Sequence, residues 1–271
     1  MMDRYFRYVL FAVSILQAIL GVGFALQIPI LTQIWPFPNT SPLSFIFIGS
    51  IYLAAAASTL WSLLAGENGS LAGVFLDYIV IFVPLVIFML QIANGNEAIT
   101  WSGIGLAVGV LFGIVFLLWS LRFPIQDTRP QPLPVRVSFM IFVVALIFVG
   151  GALVLQVPNI LPWRITPEGS VIYGWMFLGA ASYFIYSLLR PSWMNTGGQL
   201  AGFLAYDIVL IVPFINHFSQ VSPQLLPNLI IYTIVVVFSG LLAIYYLFVH
   251  EKTRINLRQV STLPVADPVD L

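Results

Sequence analysis

The chain contains no cysteine, only two histidines, and charged side chains at just 7% of its 271 positions. Without cysteine there can be no disulfide, no thiolate catalysis and no cysteine-ligated metal. His217 and His250 fall at opposite sides of the membrane in the topology derived below, so they cannot meet in one intrahelical metal or haem site. An ordinary soluble domain carries about 25% charged residues, and this chain has too few to cover a water-facing surface. Ten Lys plus Arg balance ten Asp plus Glu, and no basic patch calls for nucleic acid. Nucleotide-binding, zinc-protease and serine-hydrolase signatures are missing as well. The expectation is therefore no metal, no cofactor and no catalytic residue, with an enzyme the weaker reading.

What the chain does have is apolar sequence: 60% hydrophobic residues and a mean hydropathy of +1.02. A run of about 18 or more apolar residues reads as a transmembrane helix, because about 20 residues cross the hydrocarbon and lipid tolerates no unpaired backbone. Eight such runs are present, near 5–26, 43–64, 71–92, 101–121, 135–157, 169–189, 198–217 and 229–249. The fold class is all-α, a polytopic membrane protein with eight transmembrane helices. The first run lacks an Ala-x-Ala-like cleavage site, so it reads as a retained span and not as a signal peptide. A cytoplasmic N-terminus puts Arg4, Arg7, Arg122, Arg129, Arg136, Arg190, Lys252, Arg254 and Arg258 inside and Arg164 alone outside. That bias is the positive-inside signature; it predicts a multi-pass protein of a bacterial inner membrane with both termini cytoplasmic. Trp35, Trp101, Trp119, Trp163 and Trp193 fall near span ends and are expected to be interfacial anchors.

An internal repeat organises these spans. At an offset of 129 residues, Arg7, Gly21, Leu26, Gln27 and Pro29 align with Arg136, Gly150, Leu155, Gln156 and Pro158. At the same offset LAGVFLDYIVIFVP (71–84) aligns with LAGFLAYDIVLIVP (200–213), with seven of fourteen positions identical. Rare Gly, Gln and Pro matching at one offset argue for duplication. An even number of spans per copy makes the two four-helix repeats parallel, related by rotation about the membrane normal. The organisation read from this is a first membrane repeat at 1–121, a cytoplasmic linker at 122–134, a second repeat at 135–250 and a tail at 251–271. The linker, RFPIQDTRPQPLP, is polar and proline-rich enough to be an ordered strap, and the tail is expected to be peripheral.

Chemistry has few places to sit. Asp77 and Asp207 alone place carboxyl groups well inside spans, where each should face the bundle, a wet cavity or another subunit. They occur as Asp77-Tyr78 and Tyr206-Asp207, a transposition that turns one carboxyl by about 100° relative to its copy. These four residues are the candidates for binding a solute or proton; the competing reading is hydrogen-bonded packing between helices. Pro84 and Pro213 follow in the same spans and are candidates for kinks or gating. Gln27, Pro29, Gln156 and Pro158 mark similar external loops, suited to shallow turns at the interface. Gly105, Gly109 and Gly113 form a GxxxGxxxG row for close helix packing. Asn39 and Asn68 begin glycosylation-like triplets, a weak pattern that the topology contradicts for Asn68.

These features support a transporter-like or permease-like protein for a small neutral or amphipathic solute, with proton linkage through the intramembrane aspartates as one mode. The alternative is a non-catalytic scaffold or accessory subunit of a membrane complex. A lipid-modifying enzyme comes third, since a lone carboxylate gives no complete mechanism. Expected partners are membrane lipids, with a homodimer or partner subunits open.

Overall fold

The computed structural model describes residues 2–254; most of the tail, with Arg258, lies outside the described residues. Eight of its helices are long and apolar enough to cross a membrane, which makes this a multi-pass membrane protein. In chain order the helices are α1 (Met2–Ala25), a one-turn α2 (Pro29–Thr32), α3 (Pro42–Leu64), α4 (Ala72–Ile92), α5 (Glu97–Ser120), α6 (Leu133–Val154), α7 (Pro167–Leu189), α8 (Trp193–His217) and α9 (Leu226–Ile244). A wider, π-type turn, Tyr245–Val249, extends α9.

Local chemistry sets the ends. Ser41, Asn96, Thr166 and Ser192 cap α3, α5, α7 and α8 by accepting a backbone N–H three residues on, and Pro42 and Pro167 occupy the first helical position, where the missing N–H costs nothing. Arg7 donates to the Leu63 carbonyl at 2.9 Å, satisfying one of the orphan acceptors at the end of α3. α1 and α6 both stop on a glutamine in the left-handed region, Gln27 (φ 53°) and Gln156 (φ 55°). Around each, the next residue's N–H reaches back five positions, Ile28 to Gly23 and Val157 to Ala152, while the glutamine N–H bonds three back. Both ends are thus Schellman caps.

Packing does not follow chain order. α1 lies on α3 and α6 on α7; α4 lies on α5 and α8 on α9; α3 then packs on α8 and α4 on α7. The neighbours in sequence, α3 with α4 and α7 with α8, hardly touch. Within their most apolar stretches, 39 to 56% of residues are buried in α3, α4, α7 and α8 but only 17 to 28% in α1, α5, α6 and α9. The first four form the interior and the other four the lipid-facing shell, whose exposed side chains, such as Val108, Leu111, Val144 and Phe148, are apolar. Two crossings are tight. A methyl group at Gly49 would come within 2.6 Å of the Gly21 carbonyl oxygen, and one at Gly174 within 2.8 Å of the Gly150 carbonyl oxygen. Backbone-to-backbone approach of this kind is what holds helices together where lipid removes the hydrophobic incentive.

The linker is an ordered strap. The buried Glu67 carboxylate accepts the Asp127 N–H at 2.7 Å and the Gln126 N–H at 3.0 Å. The Arg129 carbonyl accepts from Trp193 N–H at 2.8 Å, and Pro130 bridges to Ser192. Three of the five tryptophans expected at the interface are instead core residues: Trp119, Trp163 and Trp193 are buried, the first two donating to Asp3 and Ser44. Their ring edges find aromatic neighbours, Phe116 for Trp119 and Phe47 for Trp163, and this packing outweighs headgroup contact. Trp101 is exposed.

Candidate functional site

Between the interior helices and the α6 and α9 flank lies a cavity of about 280 Å³ with an almost entirely apolar lining. It reaches α3, α4, α6, α7, α8 and α9. Among the described residues Asp77 is its one carboxyl group, and no Lys, Arg or His lines it. The reason Asp77 can sit there is a pair of glycines. On α7, Gly179 leaves room for the Asp77 carboxyl, which a methyl group at that position would overlap. One turn away the exchange reverses, and the ring of Tyr183 lies over Gly73 of α4. The Tyr183 hydroxyl then ends beside Gly198 of α8, whose carbonyl accepts from Ser58 at 2.9 Å. Gln199 is the next residue.

Several polar atoms of this lining have no partner: Asp77 Oδ1, the Tyr183 and Tyr232 hydroxyl groups and Gln199 Nε2. Tyr183 and Gln199 are 2% and 6% exposed. A buried polar group left unpaired costs about 1–3 kcal/mol, so these atoms take a partner from outside the protein, water or a solute.

The four acidic and tyrosine candidates do not share one environment. Asp77 and Tyr206 line the cavity, with Tyr206 edge-on to Phe47. Tyr78 reaches the lining too, but its hydroxyl accepts from Gln17 of α1 at 2.8 Å. Asp207 is buried outside the cavity lining, against Gly240 of α9, with both carboxyl oxygens unpartnered. The transposed Asp-Tyr pair therefore sends the two carboxyl groups to different interfaces, α4 with α7 and α8 with α9.

The other candidates lie elsewhere. Pro84 and Pro213 sit inside α4 and α8 but do not line the cavity. Gln27, Pro29, Gln156 and Pro158 are exposed at the far end, where the glutamines shape the backbone and Pro29 opens α2. Gly109 faces the ring of Phe82 and Gly113 faces Ile79, both on α4, whereas Gly105 meets open space. At the same far end a polar hollow of about 210 Å³ separates the starts of α3 and α7; there Ser41, Ser44, Trp163 and Thr166 hydrogen-bond within the protein. His217 Nε2 lies 3.1 Å from the Pro162 carbonyl oxygen, an ordinary hydrogen bond.

Sequence reading passed over Tyr183, Gln199, Tyr232 and Gly73, while Gly179 reads from the sequence only as a small residue for helix packing. Gly73 stands inside the repeated Leu-Ala-Gly, so it was within reach; Tyr183, Gln199 and Tyr232 carry no local mark. No protein family, curated protein or solved structure matches the chain. Fold and cavity together define a class, a polytopic α-helical membrane protein with an apolar interior cavity that holds unpartnered polar groups.

Proposed function

We propose that this is a transporter-like or permease-like protein for a small neutral or amphipathic solute, bound in the cavity through Asp77. The observation that carries the reading is the unpartnered Asp77 carboxyl in a cavity just below the ~300 Å³ at which ligand sites begin. Fixed charge there is limited to that one carboxyl, which argues against a strongly charged solute and leaves room for a neutral one or an amphipathic one with a single charge. Asp77 also offers the proton linkage; Asp207, outside the lining, contributes none to the solute.

The cavity lies where two parallel four-helix units meet, 1–121 and 135–250, joined by the linker at 122–134. The packing pairs support this: exchanging α1, α3, α4, α5 with α6, α7, α8, α9 converts each observed pair into another observed pair. The two Schellman caps and the two glycine crossings support it as well. Gly49 and Gly174 stand 125 positions apart, not 129, as do the capping Ser41 and Thr166. A four-residue difference before α3 is thus reversed after it, which is why the offset of 129 resumes in α4. Both termini are placed in the cytoplasm by the distribution of basic residues, Arg164 being the exception.

Reconstitution into liposomes tests the reading. Candidate amphipathic solutes should cross with the protein present, and Asp77→Asn should reduce flux or coupling at least tenfold while the protein still folds. Equal flux with Asp77→Asn overturns the role of Asp77. Recovery of a stoichiometric partner from native membranes, with no flux of any solute, would assign the accessory-subunit role instead.

A further inference from the structure

The cavity is not sealed from the membrane. Its lining includes Ile141 on α6, 63% exposed, and Ile231 on α9, 57% exposed. Ala145 and Val235 continue the same two edges. α6 and α9 meet through Phe142 and Phe238, with ring centroids 6.1 Å apart. Toward the linker end they share a buried cluster with Phe139, Ala243 and Tyr246. Away from that closure the two helices leave a cleft that runs from the lipid-facing surface to the interior.

The inner end of the cleft is polar. Asp77 lies five residues into α4, Gln199 six residues into α8, and Tyr183 six residues before the end of α7. At about 1.5 Å per residue all three fall at one level, near the linker end. The only charged group among the lining residues is acidic, and its first oxygen has no protein partner. Such a carboxyl either keeps its own proton or ionises against a cation brought by the ligand, and with no basic side chain in the described lining the ligand is the available source of that cation. The walls above are aromatic and aliphatic, with Phe177, Phe184, Tyr206 and Tyr232 among them, surfaces that favour an alkyl chain and also attract a cation over a ring face.

We infer that the cleft between α6 and α9 is a lateral portal through which a lipophilic amine enters from the bilayer, its ammonium group held by Asp77, Tyr183 and Gln199 and its alkyl part lying along the cleft. Because the cleft is open to lipid, the tail is not limited by the cavity volume. The inference deepens the cavity reading above by naming the solute class and its route. Tyr183 supplies a hydroxyl oxygen that accepts from the ammonium, and Gln199 accepts in the amide orientation that turns its carbonyl oxygen to the position now held by Nε2.

Native mass spectrometry of the detergent-solubilised full chain, titrated with dodecylamine, dodecanol and dodecanoate, tests the ligand class. Dodecylamine is expected to bind one to one, at least tenfold tighter than dodecanol, with dodecanoate weakest. Asp77→Asn should bring dodecylamine down to the level of dodecanol, and Asp207→Asn should keep the preference. Equal binding of amine and alcohol by the unaltered protein overturns the inference even if Asp77→Asn fails to fold. Retention of the preference in a folded Asp77→Asn protein does the same. For the route, Ala145→Trp should slow exchange of a spin-labelled alkylamine from nanodisc lipid at least tenfold without changing the amine-over-alcohol preference; unchanged exchange overturns the portal. Amine binding without flux in liposomes refutes transport and leaves the site standing. Flux of another solute without amine preference refutes the site and leaves transport standing.

Discussion

Gln27 and Gln156 illustrate how a residue can matter through its backbone alone. Each holds a positive φ that costs an L-residue about 1–2 kcal/mol, and each side chain is exposed. The role visible in the structure is to end a helix by a Schellman cap, which glycine performs without strain. Gln156→Gly is therefore expected to raise the thermal midpoint in detergent, by about 1 kcal/mol of stability, and Gln156→Ala to leave it nearly unchanged. A fall with Gly would mean that the glutamine side chain has a partner. Asp77 and Asp207 teach the opposite lesson. Both are carboxyl groups in corresponding stretches, yet one opens onto a cavity and the other is pressed against Gly240. One residue of transposition, about 100° of helix rotation, is the whole difference.

Among the helices, glycine position decides whether a small residue serves packing. Gly49 and Gly174 lie at crossings where a methyl group would strike backbone, at 2.6 and 2.8 Å from the partner helix carbonyl oxygen. Backbone cannot step aside as a side chain can, so the helices must part. Gly49→Ala and Gly174→Ala are each expected to cost about 1–3 kcal/mol, read as a lowered midpoint in thermal scans. Gly105 belongs to a glycine row visible in the sequence, but no atom of the described residues stands within 4 Å of where its methyl would be. Gly105→Ala should be neutral or slightly stabilising, since alanine is the better helix former. A loss comparable to that of Gly49→Ala would show that the Gly105 face is covered in the membrane by another chain. The row was legible, but which of its members face α4 depended on how α5 is turned.

At the scale of the whole molecule, the strap joins the proposed units at one end, and its anchor is a single buried carboxylate. Each hydrogen bond from the Asp127 and Gln126 N–H groups to Glu67 is charge-assisted, and removing the acceptor costs about 2 kcal/mol or more. Glu67→Ala should expose the strap, so that trypsin cuts after Arg122 several-fold faster; Glu67→Gln, which keeps one acceptor oxygen, should fall between. An unchanged rate would mean that the bridge from Pro130 to Ser192 suffices. The strap also carries the Asp127–Arg129 ion pair at 2.6 Å. Burial alone would raise the Asp127 carboxyl, but hydrogen bonds and charge from Arg129 outweigh it and hold the group below its ordinary 3.8. A lowered value means that the pair contributes fully at neutral pH and is lost as pH falls below 3.8 through the folded value. With Arg129 45% exposed, that contribution is about 0–1 kcal/mol. Hydrogen exchange across residues 124–131, corrected for intrinsic rates, should be flat from about pH 7 to about pH 5 and rise only below the ordinary carboxylate value. A rise already near pH 6 that Asp127→Asn abolishes would refute the pairing.

The eight spans, their approximate ends, the linker and the offset of 129 were all legible in the chain, because hydrophobic length and proline-rich breaks act locally. Local sequence also singled out Asp77 and Asp207, since a carboxyl in an apolar run is conspicuous. It did not separate them, nor did it reveal Tyr183, Gln199 or the burial of Trp119, Trp163 and Trp193. Those outcomes depend on which helix faces which, and here α3 and α4 lie not on each other but on α8 and α7. Helix rotation and partner choice are set by contacts between residues far apart in sequence, Gly73 with Tyr183 and Gly179 with Asp77. The chain by itself determined that helices cross a membrane; only their packing decided that one carboxyl would open onto a cavity and the other would not.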